Sequence, residues 1–172
     1  MSLQNKNITE RWFAAIGGAS GSGDKVLRDF ISRVQAAGIP EIEVGSQSVS
    51  VGLGGKLKGI FSGGGRSQNR GMIVIANKSL PGWLIYAGAR DYGKQLLVSW
   101  YLVTEVKKVS RFARAIGTVS NMELDIFKTE ELSAFVTIVH QSLKDAVKQV
   151  MTEMNLDFTK VDTHTKGFLN IS

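Results

Sequence analysis

"QLLVSWYLVTEV", residues 95–106, is the stretch that decides the fold. In an extended chain its apolar side chains fall on both faces, with Leu96, Val98, Trp100 and Leu102 on one side and Leu97, Tyr101 and Val103 on the other. A strand that is apolar on both faces is typical of the middle of a sheet, where both faces are covered. We therefore expect helices to cover one face and a second cover, such as another copy of the chain, to lie on the other.

The residues before this strand carry further strand signals. From Glu41 the segments "EIEV" and "SVSV" alternate with a period of two, "KLKGIF" puts Lys56 and Lys58 opposite Leu57, and the apolar runs "MIVIA" and "WLIYAGA" follow. Pro81 and Gly82 suit a type II turn, and Gly93 can supply a left-handed turn position. The pattern predicts an antiparallel sheet of about five or six strands.

Two helices are predicted before the sheet. Residues 9–16 place Trp12, Phe13 and Ile16 on one helical face. Residues 25–37 repeat apolar side chains at helical spacing, with Asp24 as the expected N-cap and Gly38 just beyond the C-terminus. These two segments predict a pair of N-terminal helices.

The longest periodic signal begins at Thr129, the expected N-cap, and continues to about Met154. It predicts a long amphipathic helix that packs on the sheet. Residues 106–126 fit either a helix or a strand, and residues 157–172 are mostly polar and predict a loosely ordered tail. The chain is therefore expected to form one α+β domain over residues 1–172, since no linker divides it.

Composition excludes several kinds of chemistry. The chain has no cysteine and only two histidines, His140 and His164, so we expect neither a metal site nor a cofactor. No apolar run approaches the ~20 residues of a membrane-spanning helix. The N-terminus lacks the apolar core of a signal peptide, which favours a cytoplasmic protein with no membrane partner.

A glycine-rich stretch partly resembles a phosphate-binding loop. Gly18 to Gly23 supplies the first six positions of G-x-x-x-x-G-K-[ST], but Asp24 stands where the lysine belongs and Lys25 replaces the hydroxyl residue. A carboxylate there would repel phosphate, and the preceding segment is predicted to be a helix rather than a strand. The stretch is interpreted as a connection that leads into a helix.

Charge is the strongest functional signal. The formal net charge is +6 at pH 7, and residues 44–90 contain six basic side chains but no Asp or Glu. Such a bias is typical of a surface that binds an anionic partner, although a solvated basic face would also produce it. The candidate anion-binding residues are Lys56, Lys58, Arg66, Arg70, Lys107, Lys108, Arg111 and Arg114.

The sequence shows no catalytic constellation, and it favours a non-enzymatic binding module for nucleic acid or another polyanion, acting through a basic sheet surface. Two alternatives remain open. A small apolar ligand could bind between the sheet and the long helix, lined by residues such as Trp100, Phe135 and Val139. Alternatively, the chain could be a structural or regulatory protein that forms a homo-oligomer through its doubly apolar strand.

Overall fold

A computed structural model of the chain describes residues 2–3, 7–51, 69–104, 125–169 and 171. It shows the expected α+β fold, with an antiparallel sheet and a long C-terminal helix. The strands are β1 (Ser2–Leu3), β2 (Ile8–Gly17), β3 (Ile42–Val51), β4 (Asn69–Asn77), β5 (Trp83–Tyr92), β6 (Gln95–Thr104) and β7 (Lys166–Gly167). The helices are α1 (Gly23–Ala36) and α2 (Ile126–Glu153), and a short 3₁₀ turn spans Phe158–Lys160.

The strands form one sheet in the order β1-β3-β4-β5-β6-β2-β7. Strands β2 to β7 pair antiparallel, whereas the two-residue β1 pairs parallel with β3. As the sequence predicted, β6 is a central strand, with β5 on one side and β2 on the other. The first long strand of the chain therefore lies beside the last one.

The prediction of two N-terminal helices is wrong, because residues 9–16 belong to β2. Within this strand Glu10, Trp12, Ala14 and Ile16 are buried, and the residues between them are exposed. This alternation has the period of a strand, and pairing of β2 with β6 along its whole length stabilises the extended chain. The spacing of Trp12, Phe13 and Ile16 mimicked a helix, but Phe13 lies on the opposite face of the sheet from Trp12.

Helix α1 confirms the second predicted helix but not its cap. The N-cap is Ser22, whose side chain makes no capping hydrogen bond, and Asp24 lies in the first turn. Gly38 has a φ of +65°, as a residue beyond a helix C-terminus often does. The two predicted turn glycines are also confirmed, because Gly82 and Gly93 have φ values of +88° and +60°.

The N-cap of helix α2 lies four residues before the predicted Thr129. This N-cap is Asp125, whose Oδ1 accepts a 2.8 Å hydrogen bond from the Lys128 backbone N–H. The helix and α1 cover one face of the sheet, which we call the inner face, and the apolar core lies between these layers. No helix in the described part of the chain is long and apolar enough to cross a membrane.

Two predicted segments cannot be compared with the structure. The expected strand "KLKGIF" (56–61) and most of the ambiguous segment 106–126 lie outside the described residues.

The C-terminal segment, for which the sequence predicts a loosely ordered tail, contacts β2 through a buried carboxylate. Glu10 accepts hydrogen bonds from the Thr165 hydroxyl and, at 2.8 Å, from the Leu169 backbone N–H. The Thr165 hydroxyl in turn accepts a 2.8 Å bond from the Ile171 backbone N–H. At Gly167 a Cβ would clash with the Thr9 carbonyl oxygen and with Glu10, so only glycine fits where β7 meets β2.

A pair of lysine substitutions tests the strand assignment of β2. Ala14 is 6% exposed on the inner face, so Ala14→Lys would bury an unpaired ammonium and lower the free energy of unfolding by on the order of 3 kcal/mol. Ala15 is exposed on the other face, and Ala15→Lys should change stability by no more than about 0.5 kcal/mol. Urea denaturation of both variants checks this, and equal losses would contradict the alternation.

Candidate functional site

The face of the sheet opposite α1 and α2, the outer face, carries the most distinctive group of side chains. Strand alternation puts Arg11 and Phe13 of β2 on it, because Trp12 points into the core. The register continues this face across β6 and β5, where Phe13 pairs with Ser99 and Ser99 pairs with Gly88. A small apolar cluster of Val49, Met72, Tyr86 and Val103 is buried on this face.

A concavity of about 430 Å³ lies on the outer face. Its described lining consists of Ile8, Arg11, Phe13, Val49, Arg70, Gly71, Met72, Gly88, Ala89, Arg90, Leu97, Ser99 and Tyr101. Most of these side chains are apolar or aromatic, and the charged ones are all arginines. A largely apolar wall with a few convergent polar groups is the usual composition of a ligand site.

Three arginines surround the concavity. Arg70 pairs with Val49, and Arg90 pairs with Leu97. The β4–β5 register, in which Ile73 faces Ala87, puts Arg70 and Arg90 at the same level of neighbouring strands, and Arg11 lies further along the sheet opposite Tyr101.

No carboxylate is present among the described lining residues of this concavity. The charged side chains among the described lining residues are therefore all cationic.

A second concavity, of about 330 Å³, adjoins the first and shares Arg11, Phe13 and Tyr101 with it. Its lining adds Lys166 and His164, and also Asp162. The Asp162 carboxylate accepts a 3.1 Å hydrogen bond from the His164 backbone N–H and lies 3.2 Å from the His164 ring. These bonds lower the pKa of Asp162 below its usual range.

Only one of the sequence-predicted site residues can be located. Arg70 lines the concavity on the outer face. The other seven lie outside the described residues, so their convergence stays a prediction: Lys56, Lys58, Arg66, Lys107, Lys108, Arg111 and Arg114.

Sequence reasoning missed three residues of the concavity. Arg90 belongs to the acid-free stretch 44–90 but is not among the candidate anion-binding residues. Arg11 and Phe13 lie in the segment predicted to be a helix, and the alternation of buried Glu10, Trp12, Ala14 and Ile16 with exposed neighbours is visible only in the structure.

The glycine-rich loop follows a strand, not a helix, so one reason for rejecting a phosphate-binding loop was wrong. A better reason is visible in the hydrogen bonds. The backbone N–H of Gly21 donates to the Asp91 carboxylate at 2.9 Å, and that of Gly18 donates to the Lys94 carbonyl at 3.1 Å. These amides hold the loop against the β5–β6 hairpin.

His140 is a buried titratable group on α2, and its ring has a partner at each nitrogen. The Trp100 indole N–H donates to Nδ1 at 2.8 Å, and Nε2 lies 2.8 Å from the Thr163 carbonyl oxygen, to which it donates. Burial lowers the pKa of His140 to about 4, the bond to Thr163 opposes this shift, and the charge of Lys144 adds to it. The ring is therefore neutral near pH 7, and its protonation state does not change there.

The residues expected to line a cavity for an apolar ligand lie in the core. Trp100, Phe135 and Val139 are 1%, 2% and 1% exposed and belong to the cluster between the sheet and the helices. The larger concavity described above is on the opposite face.

Comparison of the chain with protein-family models, with curated proteins and with solved structures finds no match.

His140 generates a pH dependence of stability. The unfolded chain takes up a proton near the ordinary value of 6.5, whereas the folded protein does so only near 4, so the unfolded state binds more protons between these values. The contribution of His140 to the free energy of unfolding is therefore fully present above about pH 6.5. It falls by about 3 kcal/mol as the pH drops towards 4.

Urea unfolding at a series of pH values measures this slope. His140→Gln, which cannot titrate, is the control, and it should be less stable at neutral pH but lack this part of the slope. Identical pH profiles for both proteins would contradict a buried neutral imidazole.

Proposed function

We propose that this protein is a non-enzymatic binding module for an anionic partner, that the outer face is its binding surface, and that the partner is nucleic acid. The observation that carries the proposal is the position of Arg11, Arg70 and Arg90 around one concavity whose described lining holds no carboxylate. Guanidinium groups bind phosphate oxygens in bidentate geometry, and they remain charged at every physiological pH. An anion bound between them would be attracted by several guanidinium groups at once.

Aromatic side chains on the same face support a nucleic-acid partner over a simple anion. Phe13 is 56% exposed, and Tyr101 is half-buried beside it on β6. Tyr92 is 65% exposed, and the Arg90 guanidinium lies 5.8 Å from its ring centroid. Cations interleaved with exposed aromatic rings are the usual elements of surfaces that bind single-stranded nucleic acid.

Self-association through the outer face is the second candidate, because the exposed Phe13 would be buried by another copy. The charge distribution disfavours it. A two-fold interface brings the same patch of both subunits together, so the arginines of one copy would approach those of the other. Nucleic acid supplies the opposite charge and removes this repulsion.

Charge-neutralising substitutions test the proposal. Arg11→Gln and Arg90→Gln should each weaken binding to labelled single-stranded DNA and RNA several-fold at low salt. Each should also reduce the slope of log K against log salt by about 0.7, the value for one lost phosphate contact on a single strand. Fluorescence anisotropy at several salt concentrations measures both quantities.

The matched control is Arg28→Gln, which removes the same charge from the exposed surface of α1 on the other side of the sheet. This variant should keep the affinity and the salt slope of the unaltered protein. Absence of binding at low salt, or equal effects of the three substitutions, would overturn the proposal.

A further inference from the structure

The space above the outer face is deepest where the side chains of the strands are smallest. Gly88 and Ser99 are cross-strand neighbours in the middle of the concavity, and Phe13 is the next residue of the same row on β2. Met72 lies on the other side of Gly88, where a Cβ would come within 3.4 Å of the Met72 terminal methyl. Gly88 and Ser99 are small, so they leave a flat surface that is bounded by the apolar side chains of Met72 and Phe13.

The charges are at the ends of this space rather than on its floor. Arg70 and Arg90 lie one step along the strands from Gly88 in one direction, and Tyr86, Tyr101 and Arg11 lie one step in the other. An occupant must therefore have an apolar, planar body and anionic groups beside it. A nucleotide has this combination, since its base has two π faces and its phosphates lie at its edge.

The two adjoining concavities favour a strand over a single small molecule. They meet at Arg11, Phe13 and Tyr101, and the second adds Lys166 beside the Asp162 carboxylate, which His164 contacts. A path that continues across the sheet past a shared aromatic residue suits a polymer with repeated phosphates. In a duplex the base faces are covered by neighbouring base pairs, so stacking on Phe13 requires an unpaired base.

From these placements we infer that the concavity at Gly88 and Ser99 takes one unpaired base of a single-stranded nucleic acid, stacked against Phe13, while Arg11 and Arg90 hold the flanking phosphates. This inference rests on the proposed function and adds the recognition of the base to it. The volume of about 430 Å³ lies within the range of small-molecule sites. Ser99 supplies a hydroxyl group at the floor that can donate to or accept from the edge of the base.

Three labelled probes of equal length separate the contribution of the base from that of the phosphates: a single-stranded oligothymidylate, the same sugar–phosphate chain without bases, and a duplex. We expect the oligothymidylate to bind most tightly. Phe13→Ala should weaken its binding about tenfold while leaving the abasic chain unchanged, because only stacking is lost. Phe13→Tyr, which keeps a ring, should retain the affinity of the unaltered protein.

Filling the floor provides a second, independent variant. Ser99→Leu should reduce oligothymidylate binding by occupying the space of the base, and Ala15→Leu is its control, since Ala15 is exposed on the same face outside the described lining. Circular dichroism and urea unfolding establish that each variant folds.

The outcomes distinguish this inference from the proposed function. Equal affinity for the oligothymidylate and the abasic chain, with no effect of Phe13→Ala, would overturn base recognition and leave phosphate binding intact. Failure of all three probes to bind at low salt would overturn both. Dissociation of a dimer by Phe13→Ala in sedimentation, without any effect on binding, would identify the surface as a contact between copies and overturn the inference.

Discussion

The pairing of β2 with β6 is the constraint on which the rest of the structure depends. It runs from the Ile8–Val103 pair to the Gly17–Gln95 pair and joins the first long strand to the last. Without it β6 would be an edge strand with apolar side chains on both faces and unpaired backbone groups, a combination that promotes aggregation. Because β2 pairs with β6, Trp12 lies beside Trp100 on the inner face and Phe13 lies beside Ser99 on the outer face.

The same pairing determines where the buried polar groups find partners. The Trp12 indole N–H donates to the Asp162 carbonyl at 2.7 Å, and Glu10 holds Thr165 and Leu169. These bonds link β2 to the C-terminal segment, while the bond from Trp100 to His140 links β6 to α2. A buried polar group without a partner costs more than a formed hydrogen bond contributes, so these links restrict how the segment and the helix can dock.

The two faces of the sheet consequently differ in what they can do. The inner face is covered by α1 and α2, and its large side chains fill the space between the layers. The outer face combines one small buried cluster with an open concavity, three arginines and an exposed phenylalanine. These side chains project from paired strands, so their relative positions are set by the register, and a rigid scaffold of this kind is what a preorganised binding site needs.

By itself, the sequence determined the elements whose signals are local. The stripe of α2 repeats over many turns, β3 alternates with a period of two, and β4 to β6 contain apolar runs. Gly82 and Gly93 occupy turn positions that few other residues tolerate. The basic sheet surface stays a prediction, since Arg70 is the one candidate residue that lies within the described part of the chain. Only the tertiary structure decided that residues 8–17 form a strand, because the energy of that choice comes from pairing with β6 about ninety residues away. That decision put Arg11 and Phe13 beside Arg70 and Arg90, so the candidate site could not be derived from any one segment of the chain.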